Sequence, residues 1–242
     1  MLKLLKRRGQ GFTYLLLHPR QLRHIIMREI RYRQRHRSKR RWMEWQKFDA
    51  YMHIHMMHTH RAELRASSLN IERIETIFDM VSSLGNGLWV LDVGCGDGVV
   101  SEPIWKMGNN VVCVELPKIA ALAHRCQVPL MLAGDAENLT FASNSLDVVL
   151  ASEVVEHLWN PHNFFDEAYR VLRANGHLII STPEGIEGLR YDSHKHYFTV
   201  ESLKQMLGTK FTVCEIKRLK PRGAPHPTII LLLRKLMAIK NQ

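Results

Sequence analysis

No apolar run in this chain approaches the ~20 residues that a membrane-crossing helix needs, and nothing in it is low-complexity or repetitive. The four cysteines (Cys95, Cys113, Cys126, Cys214) never fall in a CxxC spacing, which argues against a zinc knuckle or a disulfide scaffold and for reduced thiols in a cytosolic setting. The N-terminal stretch MLKLLKRRGQGFTYLLLHP is basic with a short apolar core, but it has no small-residue cleavage site and leads into more positive charge. It reads as no export signal, so the expected location is cytoplasmic, peripheral to a membrane if the basic arm finds one. With 242 residues, 45% of them hydrophobic, what remains is one ordinary α/β-sized domain with an appendage.

The appendage is visible in the charge. Residues 1–66 hold 17 Lys/Arg against 4 Asp/Glu, whereas residues 67–242 hold 17 against 19, so a near-neutral body follows a strongly cationic arm. The expected division is therefore 1–66, a basic and partly helical extension, and 67–242, the folded domain. Within the arm Leu22, Ile25, Ile26 and Ile30 recur at helical spacing, residues 31–41 are rich in Arg and Lys without an acid, and Trp42 and Trp45 follow. That combination suits an anionic membrane surface, nucleic-acid phosphates, or a merely solvated extension. The histidines of HIHMMHTH (53–60) share no single face of a helix or strand, which disfavours a metal there.

From residue 68 onward short apolar runs alternate with helical patterns. Asn70 is placed to cap a helix with Ile71, Ile74, Ile77, Phe78 and Val81 on one face and Gly85 at its end. Strands are expected over 88–93, 111–115, 129–134, 146–152 and 177–182, with a helix over 163–172 between the last two. A helix over 199–208 and two more strands, 211–219 and 228–234, follow, the last pair joined by the linker KPRGAPHP. Apolar strands separated by helices predict a parallel sheet covered on both faces.

The chemistry concentrates in LDVGCGDG (91–98). A dinucleotide fingerprint would place its third glycine at position 99, where Val99 stands, and the acids Asp92 and Asp97 repel phosphate. A ligand with an ammonium, a carboxylate and a ribose but no phosphate fits better, and S-adenosylmethionine is one. Glu115, ending the second strand, is positioned for ribose hydroxyls, and Asp135, after the third, for an adenine amino group.

LDVGCGDG, the acid of VVCVELP, GDAENLTFASNSLDVVLASEVVEHL and RVLRANGHLIISTPEG together resemble class I S-adenosylmethionine-dependent methyltransferases, with a likeness extending over about residues 70–235. The resemblance implies a doubly wound, Rossmann-like sheet of seven strands in the order 3-2-1-4-5-7-6, with strand 7 antiparallel. It implies that Asp92, Gly94, Cys95, Gly96, Asp97 and Gly98 surround the methionine part. Glu115 and Leu116 would meet the ribose, Asp135 and Ala136 the adenine, and Ser152 would border the methyl group.

The acceptor side is expected after strand 4, in SEVVEHLWNP. In one reading His157 is a general base, supported by Glu156. In a second, Glu153, Glu156 and His157, spaced to share a helical face, bind a divalent ion such as Mg²⁺ or Zn²⁺ with His194 or His196 of YDSHKHYF. Ubiquinone-pathway O-methyltransferases and small-RNA 2′-O-methyltransferases look similar here and use a metal to orient hydroxyls. In a third, the segment only caps and packs. Residues 190–198 are expected to form either a loop over the site or a polar turn. The function so indicated is methyl transfer to an oxygen of a small-molecule or lipid-like acceptor. RNA is the alternative acceptor, and a non-catalytic cofactor-binding module is the alternative of another class.

Overall fold

The computed structural model describes residues 68–116, 128–185, 194–220 and 227–237. The arm with its apolar and tryptophan pattern, the histidines of 53–60, Cys126, most of the linker at 220–227 and the first part of 190–198 lie outside the described residues.

Helix α1 (Ser68–Leu84) precedes β1 (Trp89–Val93), α2 (Ser101–Lys106), β2 (Asn110–Glu115), β3 (Met131–Ala133) and β4 (Leu146–Ser152). A single 3₁₀ turn (Val155–His157) then leads to α3 (Pro161–Val171), β5 (Leu172–Pro183), α4 (Val200–Leu207), β6 (Phe211–Leu219) and β7 (Thr228–Lys235). The seven strands pair in the order β3-β2-β1-β4-β5-β7-β6, with β7 antiparallel to both neighbours and the rest parallel, as the resemblance implies.

Alternation along the strands builds two cores. Val149 and Ala151 of β4, Leu178 and Ile180 of β5, and Leu231 and Leu233 of β7 pack with Phe164 and Phe165 of α3 and Leu203 of α4. Val148 and Leu150, Ile179, and Ile230 and Leu232 pack on the opposite face with Ile77, Met80 and Val81 of α1 and Ile104 of α2. Central strands apolar on both faces have only this solution.

Local boundaries differ from expectation where a cap outweighs periodicity. Helix α1 already includes Ser68, ahead of the expected start after Asn70, and it stops at Leu84, followed as expected by Gly85 at φ +118°. Helix α3 starts two residues early because Asn160 accepts from the His162 N–H at 3.2 Å and Pro161 occupies the first turn. Thr199 and Ser202 form a reciprocal capping box at α4. None of the described helices is long and apolar enough to cross a membrane.

Candidate active site

All parallel strands deliver their C-terminal ends to one rim, and the sequence-predicted residues gather there in two groups. The first group surrounds the loop after β1. Gly94, Gly96 and Gly98 all adopt positive φ (+69°, +52° and +73°). At Gly94 the need for glycine is also steric, since a Cβ would lie 2.6 Å from Cγ2 of Val154. The Gly94 N–H donates to the Val114 carbonyl at 2.8 Å, and the Gly96 N–H donates to Oε2 of Glu115 at 3.0 Å. The other Glu115 oxygen accepts from the Leu116 N–H at 2.7 Å. Glu115 therefore links the end of β2 to the glycine loop. Asp135 accepts from the Glu137 N–H at 3.0 Å, folding GDAENL into a tight turn beside Glu115.

Asp92 departs from the expectation that it lines the rim. It shares strand parity with Val90 and points into the α1/α2 layer, 2% exposed, where it accepts a hydrogen bond from Ser101 at the start of α2. Burial first, and the neighbouring Cys113 next, push its carboxyl well above the ordinary range. Cys95 is likewise held as a thiol, chiefly by its hydrogen bond with Cys113 and then by burial. Asp92 is an interior support of the loop, whereas Cys95 stays partly exposed within it.

The second group lies at the ends of β4 and β5. Ser152 and Ser181 are register partners with their hydroxyls 3.1 Å apart, and Ser181 donates to Glu153 at 3.0 Å. Glu153 has φ +58°, a conformation that costs a non-glycine residue of order 1–3 kcal/mol. That turn corrects the helical-face argument. Glu153 precedes the 3₁₀ turn instead of sharing a face with Glu156 and His157, and its carboxylate meets Arg73 of α1 at 3.4 Å.

Glu156 is 2% exposed. Its Oε2 accepts from Thr182 at 3.1 Å, while Oε1 has no hydrogen-bond partner and lies 3.9 Å from Nε2 of His157. Burial, then the negative Glu153, raise its carboxyl well above the ordinary value. The His157 and His194 rings meet edge to face at 4.9 Å, and one ligand atom from each of Glu156, His157 and His194 lies within 4.8 Å of the others. His194 thus joins the cluster. His196, the alternative from the same motif, instead stacks near Phe198 with Nε2 buried and unpartnered.

The segment after 193 is fixed over this turn. The Lys195 and His196 N–H groups donate to the Glu156 carbonyl at 2.7 and 3.2 Å. The Lys195 ammonium donates to the His157 carbonyl at 2.9 Å and sits 4.9 Å from the Trp159 ring. Of the two expectations for 190–198, the described part is a cover over the turn. Arg73, Ser181, Thr182 and Lys195 join the site without having been expected from the sequence. The polar pair Ser181 and Thr182, directly after the apolar run Leu178–Ile180 of β5, is the one signal that points to any of them.

Residues 91–180 match the family described as a methyltransferase domain. A ubiquinone biosynthesis O-methyltransferase of Azorhizobium caulinodans is 38% identical over 102 residues, covering 40% of this chain and 40% of that protein. The mitochondrial ubiquinone biosynthesis O-methyltransferase of Rattus norvegicus is 36% identical over 108 residues, covering 40% of this chain and 31% of its own length. The chain thus spans less than half the length of these curated relatives. Among solved structures, a 1,6-didemethyltoxoflavin N1-methyltransferase of Burkholderia thailandensis superposes with a TM-score of 0.64 at 20% identity, covering 80% of this chain and 89% of the other. The N-methyltransferase NodS of Bradyrhizobium japonicum gives 0.61 at 18% identity, covering 72% and 90%. At those identities the fold is what is shared. Motif, sheet order and comparisons converge: the stretch from β1 to β5 matches a methyltransferase domain and has the fold of the class I S-adenosylmethionine-dependent methyltransferases that it resembles.

Proposed function

We propose that the protein transfers the methyl group of S-adenosylmethionine to a hydroxyl oxygen of a small-molecule or lipid-like acceptor. One observation carries the acceptor side of this reading. Among the described residues, every buried side-chain N or O atom without a hydrogen-bond partner belongs to Arg73, Glu156, Trp159 or His196. Arg73 pairs with Glu153 at the end of β4, Glu156 follows in the turn beyond it, and Trp159 and His196 belong to that turn and its cover. Buried polar atoms are normally satisfied, so such a concentration is the signature of a site that a ligand completes.

The glycine loop fits the cofactor. Positive-φ glycines, one of them steric, let backbone approach the methionine part, and Asp97 brings negative charge toward its ammonium and sulfonium. Glu115 offers its carboxylate to the ribose hydroxyls, with Leu116 alongside, and Asp135 with Ala136 meets the adenine edge. Arg73, with an unpartnered Nε, supplies a donor for the cofactor carboxylate or an acidic acceptor group. The bound cofactor supplies a methyl on a positively charged sulfur, a good leaving group, so the protein's task is alignment and proton removal. Ser152 borders that point, and His157 takes the hydroxyl proton, with Oε1 of Glu156 3.9 Å from its Nε2.

The same cluster fits a divalent ion. One buried carboxylate oxygen without a partner and two imidazoles form a mixed oxygen and nitrogen set suited to Zn²⁺ or Mn²⁺, and with water to Mg²⁺. Glu156, His157 and His194 would hold it, and it would lower the pKa of a bound hydroxyl.

The test is transfer from methyl-labelled S-adenosylmethionine into cell extract, with and without prior chelation, products being divided into organic-soluble, nuclease-sensitive and polar fractions. Label in the organic phase is expected, falling after chelation and returning with added metal. Nuclease-sensitive label would replace the acceptor by RNA. Cofactor binding without any label would replace the enzyme by a binding module.

A further inference from the structure

A groove of about 330 Å³, lined by none of the β4/β5 cluster residues, lies between the first half of α1 and α2. Its walls are Ile71, Ile74, Val99 and Pro103, with Glu75, Glu102 and Lys106 on its rim. Ile71 is 43% exposed although it belongs to the apolar repeat of α1. Ile77 and Val81 of the same repeat are wholly buried, so α1 carries apolar residues beyond those the sheet covers.

The rim is acidic. Glu102 is paired with Lys106 at 2.8 Å, which leaves Glu75 as the groove's own charge. Glu72 stands three residues before it on the same exposed side of α1, and neither has an ion-pair partner among the described residues. Apolar walls beside carboxylates that no described cation pairs select an occupant that is apolar and cationic. They disfavour phosphate, whether on a lipid or on a nucleic acid.

The chain itself supplies such an occupant. Trp42, Trp45 and Phe48 recur every three residues directly after the acid-free, Arg-rich stretch 31–41. Only residues 49–67 separate Phe48 from Ser68, where α1 begins, and Ile71 and Ile74 lie in the first two turns of that helix. Nineteen residues span up to about 60 Å when extended, while the whole of α1 is about 25 Å long at 1.5 Å per residue. The tether is long enough to fold back and short enough to keep the local concentration near the millimolar range.

We infer that this groove is the docking site of segment 31–48 of the same chain, with the tryptophans against Ile71, Ile74 and Pro103 and the Arg/Lys side chains against Glu72 and Glu75. Val99 joins the groove to the glycine loop, so the docked segment lies beside the cofactor's entrance. The inference does not rest on the methyl-transfer reading.

Zero-length carbodiimide cross-linking of the dilute full chain, followed by mass spectrometry of the monomer band, tests it. Lys39 or Lys47 joined to Glu72 or Glu75 is the expected product, at least five-fold above linkage to Glu201 on the opposite face. The double variant Trp42→Ser/Trp45→Ser, whose changes lie outside the described fold, should lose most of that product. Equal linkage to Glu201, or linkage unaffected by the double variant, overturns the inference. Linkage confined to a dimer band replaces the occupant by a second copy. Linkage abolished at physiological salt by anionic vesicles or by RNA gives the segment to that partner instead.

Discussion

The two halves of the strand rim are built on opposite terms. Around β1, β2 and β3 the acids are already tied to the chain's own backbone or hydroxyls: Glu115 to Gly96 and Leu116, Asp135 to Glu137, Asp92 to Ser101. Around β4 and β5, Glu156, Arg73, Trp159 and His196 each bury a polar atom with no partner. The first half is a finished mould whose acids are already held by the chain. The second holds unmet hydrogen-bonding capacity, which costs roughly 1–3 kcal/mol per buried group until something satisfies it. A cofactor common to many enzymes suits the mould, and an acceptor or ion suits the unfinished half.

The largest effect should separate the halves outright. Glu156→Gln is expected to lower the transfer rate by about 100-fold or more, within the usual range for acid–base groups, while calorimetric cofactor affinity stays within a factor of about two. Lost affinity with normal turnover would invert the comparison.

Next comes Glu115→Ala, expected to weaken cofactor binding by roughly 1.5–3 kcal/mol, as for a hydrogen bond to a charged group. Glu115→Gln keeps one acceptor oxygen and should fall between, and unchanged affinity in both would remove Glu115 from the ribose. Gly94→Ala probes the seam where the halves touch. With φ +69° and Val154 at 2.6 Å, it should destabilise the fold by about 1–3 kcal/mol in denaturant titration. Adding Val154→Ala should return the steric part, leaving the backbone strain.

The smallest effect is a slope. The native carboxyl of Asp92 is raised above its ordinary value near 3.8, so its favourable contribution is complete below that value and is lost as pH rises through the native one. Melting temperatures of wild type and Asp92→Asn, compared between pH 4 and 8, should therefore drift in favour of the variant. The opposite drift would mean that Asp92 is native as a paired anion.

The sequence is most legible where spacing carries geometry. Period-two and period-3.6 apolar runs locate every described strand and three of the described α-helices. The glycine spacing, with Val99 in the place of a third glycine, together with the acids Asp92 and Asp97, counts against a dinucleotide loop. Legibility fails where the third dimension decides. Nothing local reveals that Glu153 turns left-handed toward Arg73, a residue 80 positions earlier, or that Asp92 follows the parity of Val90 inward instead of facing the rim. The Pro161 start of α3 is readable from AsnPro but is outweighed by periodicity if only apolar positions are counted. Short α2, with six residues, is too brief for any repeat to show.

The antiparallel β7 sits between β5 and β6, although it is the last of the described strands in sequence. Until residues 228–235 emerge from the ribosome, β5 is an open, apolar sheet edge, and Ser181 and Thr182 at its end have only one neighbouring strand. The nascent chain therefore carries its complete glycine loop for some 130 residues before the opposite half of the rim can set, and a chain arrested before β7 would present a sticky edge to other chains.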